Sequence, residues 1–280
     1  MATQAEKGRS FRALHERDTP FIIPNPWDRG TARLLACLGY EALATTSAGY
    51  AFSMGQKDNT ILRDEMLEHI SQLVGATDLP VSGDLENGFG EEPETVAQTI
   101  LLAAQAGLVG ASIEDATGDK DRPLYDHGLA VERIHAAVEA VRALPFEFTL
   151  TARAENYLVG RPDLEDTLKR LQAYQRAGAD VLYAPGLSSE AAIATVVKSV
   201  DRPVNVLMGL QSAQLDLASL KAIGVKRISV GSALSRAALG AFLRGAREMK
   251  QHGTFMFANE AVGFRDISAM FEHPQEQRGA

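Results

Sequence analysis

Residues 78–90 read DLPVSGDLENGFG: a proline, a short β-prone run, then two carboxylates, Asp84 and Glu86, ahead of an Asn-Gly-Phe-Gly turn. Proline suits the start of a strand, where its missing N–H costs least. Three more apolar runs begin this way, DTPFIIPNP at Pro20, LPFEFTLTAR at Pro145 and DRPVNVLMG at Pro203. Four others, ACLGYEALATTS, QAGLVGASIED, RAGADVLYAPG and AIGVKRISVGS, follow a helix-like segment that closes on Gly39, Gly107, Gly178 or Gly224. Those glycines stand where a helix end calls for a left-handed residue. The two kinds alternate strictly along the chain and so mark eight strands. Segments such as RDEMLEHISQLVGA, PETVAQTILLAAQ, LAVERIHAAVEAVRAL, DLEDTLKRLQAYQRA and SRAALGAFLRGAREM carry helical spacing between or after them. Eight strand–helix units predict a (β/α)8 TIM barrel. A doubly wound open sheet fits the regular alternation less well. Residues 1–280 read as a single barrel domain, with 255–280 a C-terminal helical extension: TFMFANEAVGFRDISAMFEH has further helical spacing, and HPQEQRGA reads as a frayed end.

The 280 residues are 45% apolar and 23% charged, the composition of a globular chain with a sizeable core. A net charge of −8 argues against nucleic acid or an anionic membrane as the main partner. MATQAEKGRS has no apolar stretch of signal-peptide length, and no apolar run long enough to span a bilayer occurs, so a cytoplasmic location is expected. The single cysteine, Cys37, excludes an internal disulfide or a cysteine-rich metal site and reads as core packing.

Barrel chemistry sits at the C-terminal ends of the strands, where side chains converge on one mouth. In chain order those ends carry Asn25 to Asp28, Thr45 to Tyr50, Asp84 with Glu86, Glu114 with Asp115, Arg153 with Glu155, Tyr183 to Gly186, Asn205, and Gly231 with Ser232. Asp84, Glu86 and Glu114 are expected to face one another near Arg153, and the i, i+2 spacing of the first two puts them on one face of a strand. Buried carboxylates need positive charge among them, and one arginine falls short of three. Oxygen donors without histidine or cysteine point to Mg²⁺ or Mn²⁺. The alternative is that these groups form structural ion pairs at the rim. Trp27 reads as well as rim packing as it does as a pocket group, and Tyr50 and Tyr157 read more as structural residues than as proton donors at the mouth. The histidines, among them His69, His127 and His135, read as helix-face or solvated residues, and Gly231 with Ser232 is a weak candidate for phosphate binding.

TTSAGY followed by GQKD, then GDLENGFG, SIED, TARAEN and NVLMG, in this order, resemble the isocitrate lyase and phosphoenolpyruvate mutase superfamily over nearly the whole chain. The resemblance implies a barrel, in a homotetramer whose last helix is exchanged between subunits. It also implies Mg²⁺-dependent chemistry on a small 2-oxo or 2-hydroxy acid, making or breaking a C–C or P–C bond beside an enolate. It makes Asp84 a metal ligand, with Glu86 and Glu114 holding the metal directly or through water and Asp58 reaching a metal-bound water. Ser47, Ala48 and Gly49 would bind the substrate carboxylate, Arg153 the carboxylate or the enolate oxygen, and Asn205 would face the substrate. Asp58, Glu114 and Arg153 are thereby the candidate catalytic residues.

Two departures sharpen the expectation. The loop after the fourth strand, EDATGDKDRPLYD, lacks the Lys-Lys-Cys-Gly-His motif of the lyases that cleave isocitrate or methylisocitrate, which argues against isocitrate cleavage. The same loop is short, so it would shield an enolate poorly from water, and that suits decarboxylation or retro-aldol cleavage ending in protonation. Glu86 stands where the family often has aspartate, one methylene shorter. The expected function is a Mg²⁺-dependent lyase of an oxaloacetate-like or alkylmalate-like acid. The alternatives are phosphonopyruvate mutase or hydrolase chemistry, or a barrel that binds 2-oxo acids without turning them over.

Overall fold

Strands β1 (Phe21–Ile23), β2 (Leu43–Ala44), β3 (Val81–Asp84), β4 (Gly110–Glu114), β5 (Thr149–Arg153), β6 (Val181–Tyr183), β7 (Val204–Leu207) and β8 (Arg227–Ser229) form one sheet in a computed structural model that describes residues 2–209 and 214–272. Every pairing is parallel, in the order β1-β8-β7-β6-β5-β4-β3-β2. The remaining seam, between β1 and β2, is bridged by Ala44 N–H donating to Pro24 O at 3.1 Å. The result is a nearly closed (β/α)8 barrel. The expected frayed tail, HPQEQRGA, lies outside the described residues.

The punctuation of the sequence works as read. Gly39, Gly107, Gly178 and Gly224 all take positive φ, from +84° to +108°, just after the helices that precede the even strands. Pro20, Pro80 and Pro203 immediately precede β1, β3 and β7, whereas Pro145 stands four residues ahead of β5, because Phe146–Phe148 lie outside the strand. Helices Arg63–Val74, Pro93–Gln105, His127–Arg142 and Leu164–Ala177 pack around the sheet, and Met66, Ile70, Ile100, Ile134 and Leu171 face the core. Among the described residues no helix is long and apolar enough to cross a membrane.

One further element closes the N-terminal end of the barrel. Helix Gln4–Glu16 starts from a capping box between Thr3 and Glu6 and buries Phe11, Leu14 and His15. The His15 ring stands edge-on to Phe11 and Phe21, with centroids 4.8 and 4.9 Å apart. Burial, aided by the Arg227 charge, holds the His15 pKa down at about 3. The folded protein therefore keeps His15 neutral, while the unfolded chain takes up a proton below the ordinary imidazole value of 6.5. Stability from this group is complete above that value and declines as pH falls through it, by about 2 kcal/mol at pH 5. Urea melts at pH 7 and pH 5 are expected to show His15→Gln losing less stability than wild type over that interval, and parallel losses would refute the assignment.

The C-terminal helices behave differently. Ala233–His252 buries only Ser235 and Gly245, and helix Phe264–Glu272 buries nothing fully. Phe242 is 69% and Phe264 85% exposed, and Ile22 on β1 is 36% exposed.

Candidate functional site at the barrel mouth

β4 and β5 end in register, with Glu114 beside Arg153, and β3 ends at Asp84 beside Ser112, so the strand termini set the acidic groups around one guanidinium. Arg153 Nη1 lies 2.9 Å from Asp84 Oδ1, Nη2 3.0 Å from Glu114 Oε2, and Nε 2.8 Å from Glu155 Oε1. Its plane also sits 5.1 Å from the Tyr183 ring centroid. Burial alone would lower the Arg153 pKa, but Glu114, Glu155 and Asp84 outweigh it and drive it up, so the cation is permanent. Burial raises Glu114 and Glu155, and Arg153 only partly offsets it.

Asp84 is fixed from the other side. Ser47 donates to its Oδ2 twice, from N–H at 3.0 Å and from Oγ at 2.9 Å. Ser47 opens the short helix Ser47–Ser53, which Thr46 caps by accepting from Gly49 N–H at 3.2 Å. Of the three residues expected to hold a carboxylate, Ser47 thus serves Asp84 and Gly49 serves the cap. The Ala48 N–H has no partner among the described residues. A Cβ on Gly49 would come within 2.6 Å of Thr46 Cγ2 and 3.2 Å of Trp27 Cβ, so the turn requires glycine there.

Glu86 departs from the expectation. β3 ends at Asp84, and Glu86 follows with φ +50°, a left-handed backbone uncommon outside glycine. The i, i+2 argument needs extended backbone through both residues, and here the chain turns. Asp84 therefore faces an inner cavity of about 150 Å³ that Ser47, Asp58, Arg153, Asn205 and Arg227 also line. Glu86 faces an outer one of about 1000 Å³, with Glu114, Asn87, Phe89, Thr117 and Lys120. Glu86 is 8% exposed, its Oε1 has no hydrogen-bond partner, and burial followed by the charges of Asp84 and Asp58 pushes its pKa to about 8.

Asn205 lines the inner cavity, but its amide is spoken for: Nδ2 donates to Ser229 Oγ at 3.0 Å, and Oδ1 accepts from Arg227 Nε at 2.9 Å. Asp115 supports the mouth from behind, accepting from Glu155 N–H, Arg170 Nη1 and Tyr174 Oη at 2.8, 3.0 and 2.6 Å. Asn25 fastens the rim where β1, β2 and β8 end, donating to Thr45 O and accepting from the Val230 and Gly231 N–H groups. The loop after β4 folds back on itself through an Ala116–Leu124 bridge and a Thr117 N–H to Pro123 O bond of 3.1 Å. It is a small closed hairpin beside the outer cavity.

Among the described residues no three His, Cys, Asp or Glu side chains are grouped so as to hold a metal by themselves. Asp84 and Glu114 clasp Arg153, and Glu86 adjoins them, lining the outer cavity with Glu114 and close enough to feel the Asp84 charge. Mg²⁺ takes one or two carboxylates and keeps several waters. The all-oxygen donor set and the orphaned Glu86 Oε1 fit such a hydrated cation and do not form a carboxylate cage.

The family model for phosphoenolpyruvate phosphomutase matches residues 11–250. A 2-methylisocitrate lyase of Escherichia coli is 30% identical over 205 residues, 70% of this chain and 68% of that protein. An oxaloacetate decarboxylase of Pseudomonas savastanoi is 28% identical over 257 residues, 89% and 87% of the two chains. The crystal structure of a Burkholderia cenocepacia protein described as a candidate lyase or mutase superposes with a TM-score of 0.95 at 64% identity, over 98% of this chain and 99% of that one.

Proposed function

Because the chain belongs to the phosphoenolpyruvate phosphomutase family, we propose that it is a Mg²⁺-dependent lyase cleaving a carbon–carbon bond in a small 2-oxo or 2-hydroxy di- or tricarboxylate, oxaloacetate-like or alkylmalate-like. The observation that supports this most is the charge imbalance at the mouth. One guanidinium, Arg153, meets Asp84, Glu114 and Glu155 directly, and the pKa of Glu86 beside them is raised first by burial and then by the charges of Asp84 and Asp58. A second cation relieves that excess. Asp84 would hold it, with Glu86, Glu114 and Asp58 reaching it directly or through water. When bound, Mg²⁺ (or Mn²⁺) supplies Lewis-acid stabilisation of charge developing on the substrate's 2-oxygen.

The chain's own residues do the rest. Arg153 has five N–H donors and hydrogen-bonds Asp84 and Glu155 through two of them while Nη2 pairs with Glu114, which leaves donors for a substrate oxygen. Its fixed charge serves at any working pH. Ser47 keeps Asp84 from rotating, and the Ala48 N–H is free for the substrate carboxylate, beside Gly49. Asn205, bonded to Arg227, stiffens the wall that faces the substrate. The short hairpin after β4 leaves the outer cavity open to water, which suits a reaction that ends by protonating the enolate.

Phosphorus–carbon chemistry is the second reading, and the description of the matching family favours it. Oxaloacetate, dimethylmalate, methylisocitrate, isocitrate and phosphonopyruvate, each assayed with Mg²⁺ and with chelator, separate the two. Metal-dependent cleavage of one of the carbon acids supports the lyase. Phosphate or phosphoenolpyruvate from phosphonopyruvate alone overturns it, and tight 2-oxo acid binding without any turnover leaves a binding protein.

We also infer a cytoplasmic homo-oligomer, a tetramer by family resemblance. Phe242, Leu243, Phe255, Met256 and Phe264 expose more apolar surface along the last helices than a monomer ordinarily keeps. Light scattering is expected to give a multiple of 30.1 kDa, and Phe242→Glu combined with Phe264→Glu is expected to lower it. A wild-type mass equal to one chain would refute the association.

A further inference from the structure

Barrel interiors are ordinarily filled with branched apolar side chains, but the inner cavity here is lined by Ser82, Ser112, Asn205, Ser229 and Arg227. Arg227 is the exception in chemical character. It is 4% exposed, its Nε donates to Asn205 Oδ1 at 2.9 Å, and its Nη1 has no partner. Among the described residues no carboxylate forms an ion pair with it. The electrostatic influences on it are Tyr183 and the like charge of Arg153. Burial lowers its pKa to about 10, which still leaves it charged at neutral pH. An uncompensated buried guanidinium costs several kcal/mol, so its retention calls for an anion that arrives with the ligand.

We propose that Arg227 is a specificity-determining residue that receives the second carboxylate of a dicarboxylate substrate, deep in the cavity whose mouth carries Asp84 and Arg153. This rests on the acid-binding reading of the mouth. The cavity of about 150 Å³ has room on the order of five waters, enough for a short acid to displace them and lie between the two arginines. Asn205 and Ser229 complete the floor: Asn205 orients Arg227 through Nε and leaves Nη1 for the ligand.

The test compares L-malate with 2-hydroxybutyrate, acids of equal carbon number that differ in a terminal carboxylate or methyl. Titration calorimetry with Mg²⁺ is run on wild type, Arg227→Gln, Arg227→Lys and Asp84→Asn. Wild type is expected to favour malate by about tenfold or more, the scale of one charge-assisted hydrogen bond. Arg227→Gln is expected to lose that preference with 2-hydroxybutyrate affinity unchanged, and Arg227→Lys to keep part of it. The melting temperature of Arg227→Gln is expected to stay level or rise, since a buried charge is removed. A malate preference retained in Arg227→Gln overturns the assignment, whether or not the variant is less stable. If wild type binds both acids and Asp84→Asn neither, that failure concerns Arg227 alone; if wild type binds neither acid, the reading of the mouth fails and this inference with it.

Discussion

Arg153→Met is expected to lose turnover entirely and to unfold with about 3–5 kcal/mol less stability, the cost of stranding buried charge that has lost its partner. Three carboxylates converge on this one side chain at 2.8 to 3.0 Å. Methionine fills much of the volume but answers none of that charge, so Asp84, Glu114 and Glu155 must protonate, take up water or move apart. Arg153→Lys keeps the charge and loses the fork that meets three acids at once. It is expected to recover part of the stability and little of the activity. Urea melts and a Mg²⁺-supplemented assay check both variants. An Arg153→Met protein with wild-type stability would mean that the cluster is not held by this ion-pair set.

Asp84→Asn is the second large effect, and its signature is the reverse. The shape is kept and the amide oxygen can still accept from Ser47, so stability is expected to change by less than about 1 kcal/mol, because the mouth has carboxylate in excess. Activity is expected to fall by about a thousandfold or more, the scale found when one preorganised charge-stabilising group is removed. Mg²⁺ affinity, read by calorimetry without substrate, is expected to fall as well. Unchanged activity together with unchanged Mg²⁺ binding would remove Asp84 from the metal site.

The barrel was legible because its punctuation is chemical: a proline at a strand start and a glycine after a helix each answer a local backbone demand. Pro145 shows the margin, since its strand begins only at Thr149. Helix Gln4–Glu16 was not legible although Thr3 and Glu6 spell a capping box, because it precedes the first strand and belongs to none of the eight strand–helix units. At the site, Asp84, Glu114 and Arg153 were found by position, as the last residues of three adjacent strands. The i, i+2 reading of Glu86 did not foresee its backbone, because nothing in GDLENG announces that the strand stops at Asp84 and that a glutamate takes a left-handed conformation. Arg227 was missed for a different reason. In GVKRISVGS its charge reads as a strand-edge residue, and only the parity of Arg227, Ser229 and Gly231 along β8 hints that it points inward.

Product analysis by ¹³C NMR, with oxaloacetate and 2,3-dimethylmalate supplied separately to metal-stripped protein before and after Mg²⁺ is restored, bears most directly on the proposed activity. The expected result is carbon–carbon cleavage of at least one of them that appears with Mg²⁺, disappears with chelator and is absent in Asp84→Asn. Cleavage at the protein-free rate for both acids, or cleavage indifferent to chelator, would contradict it.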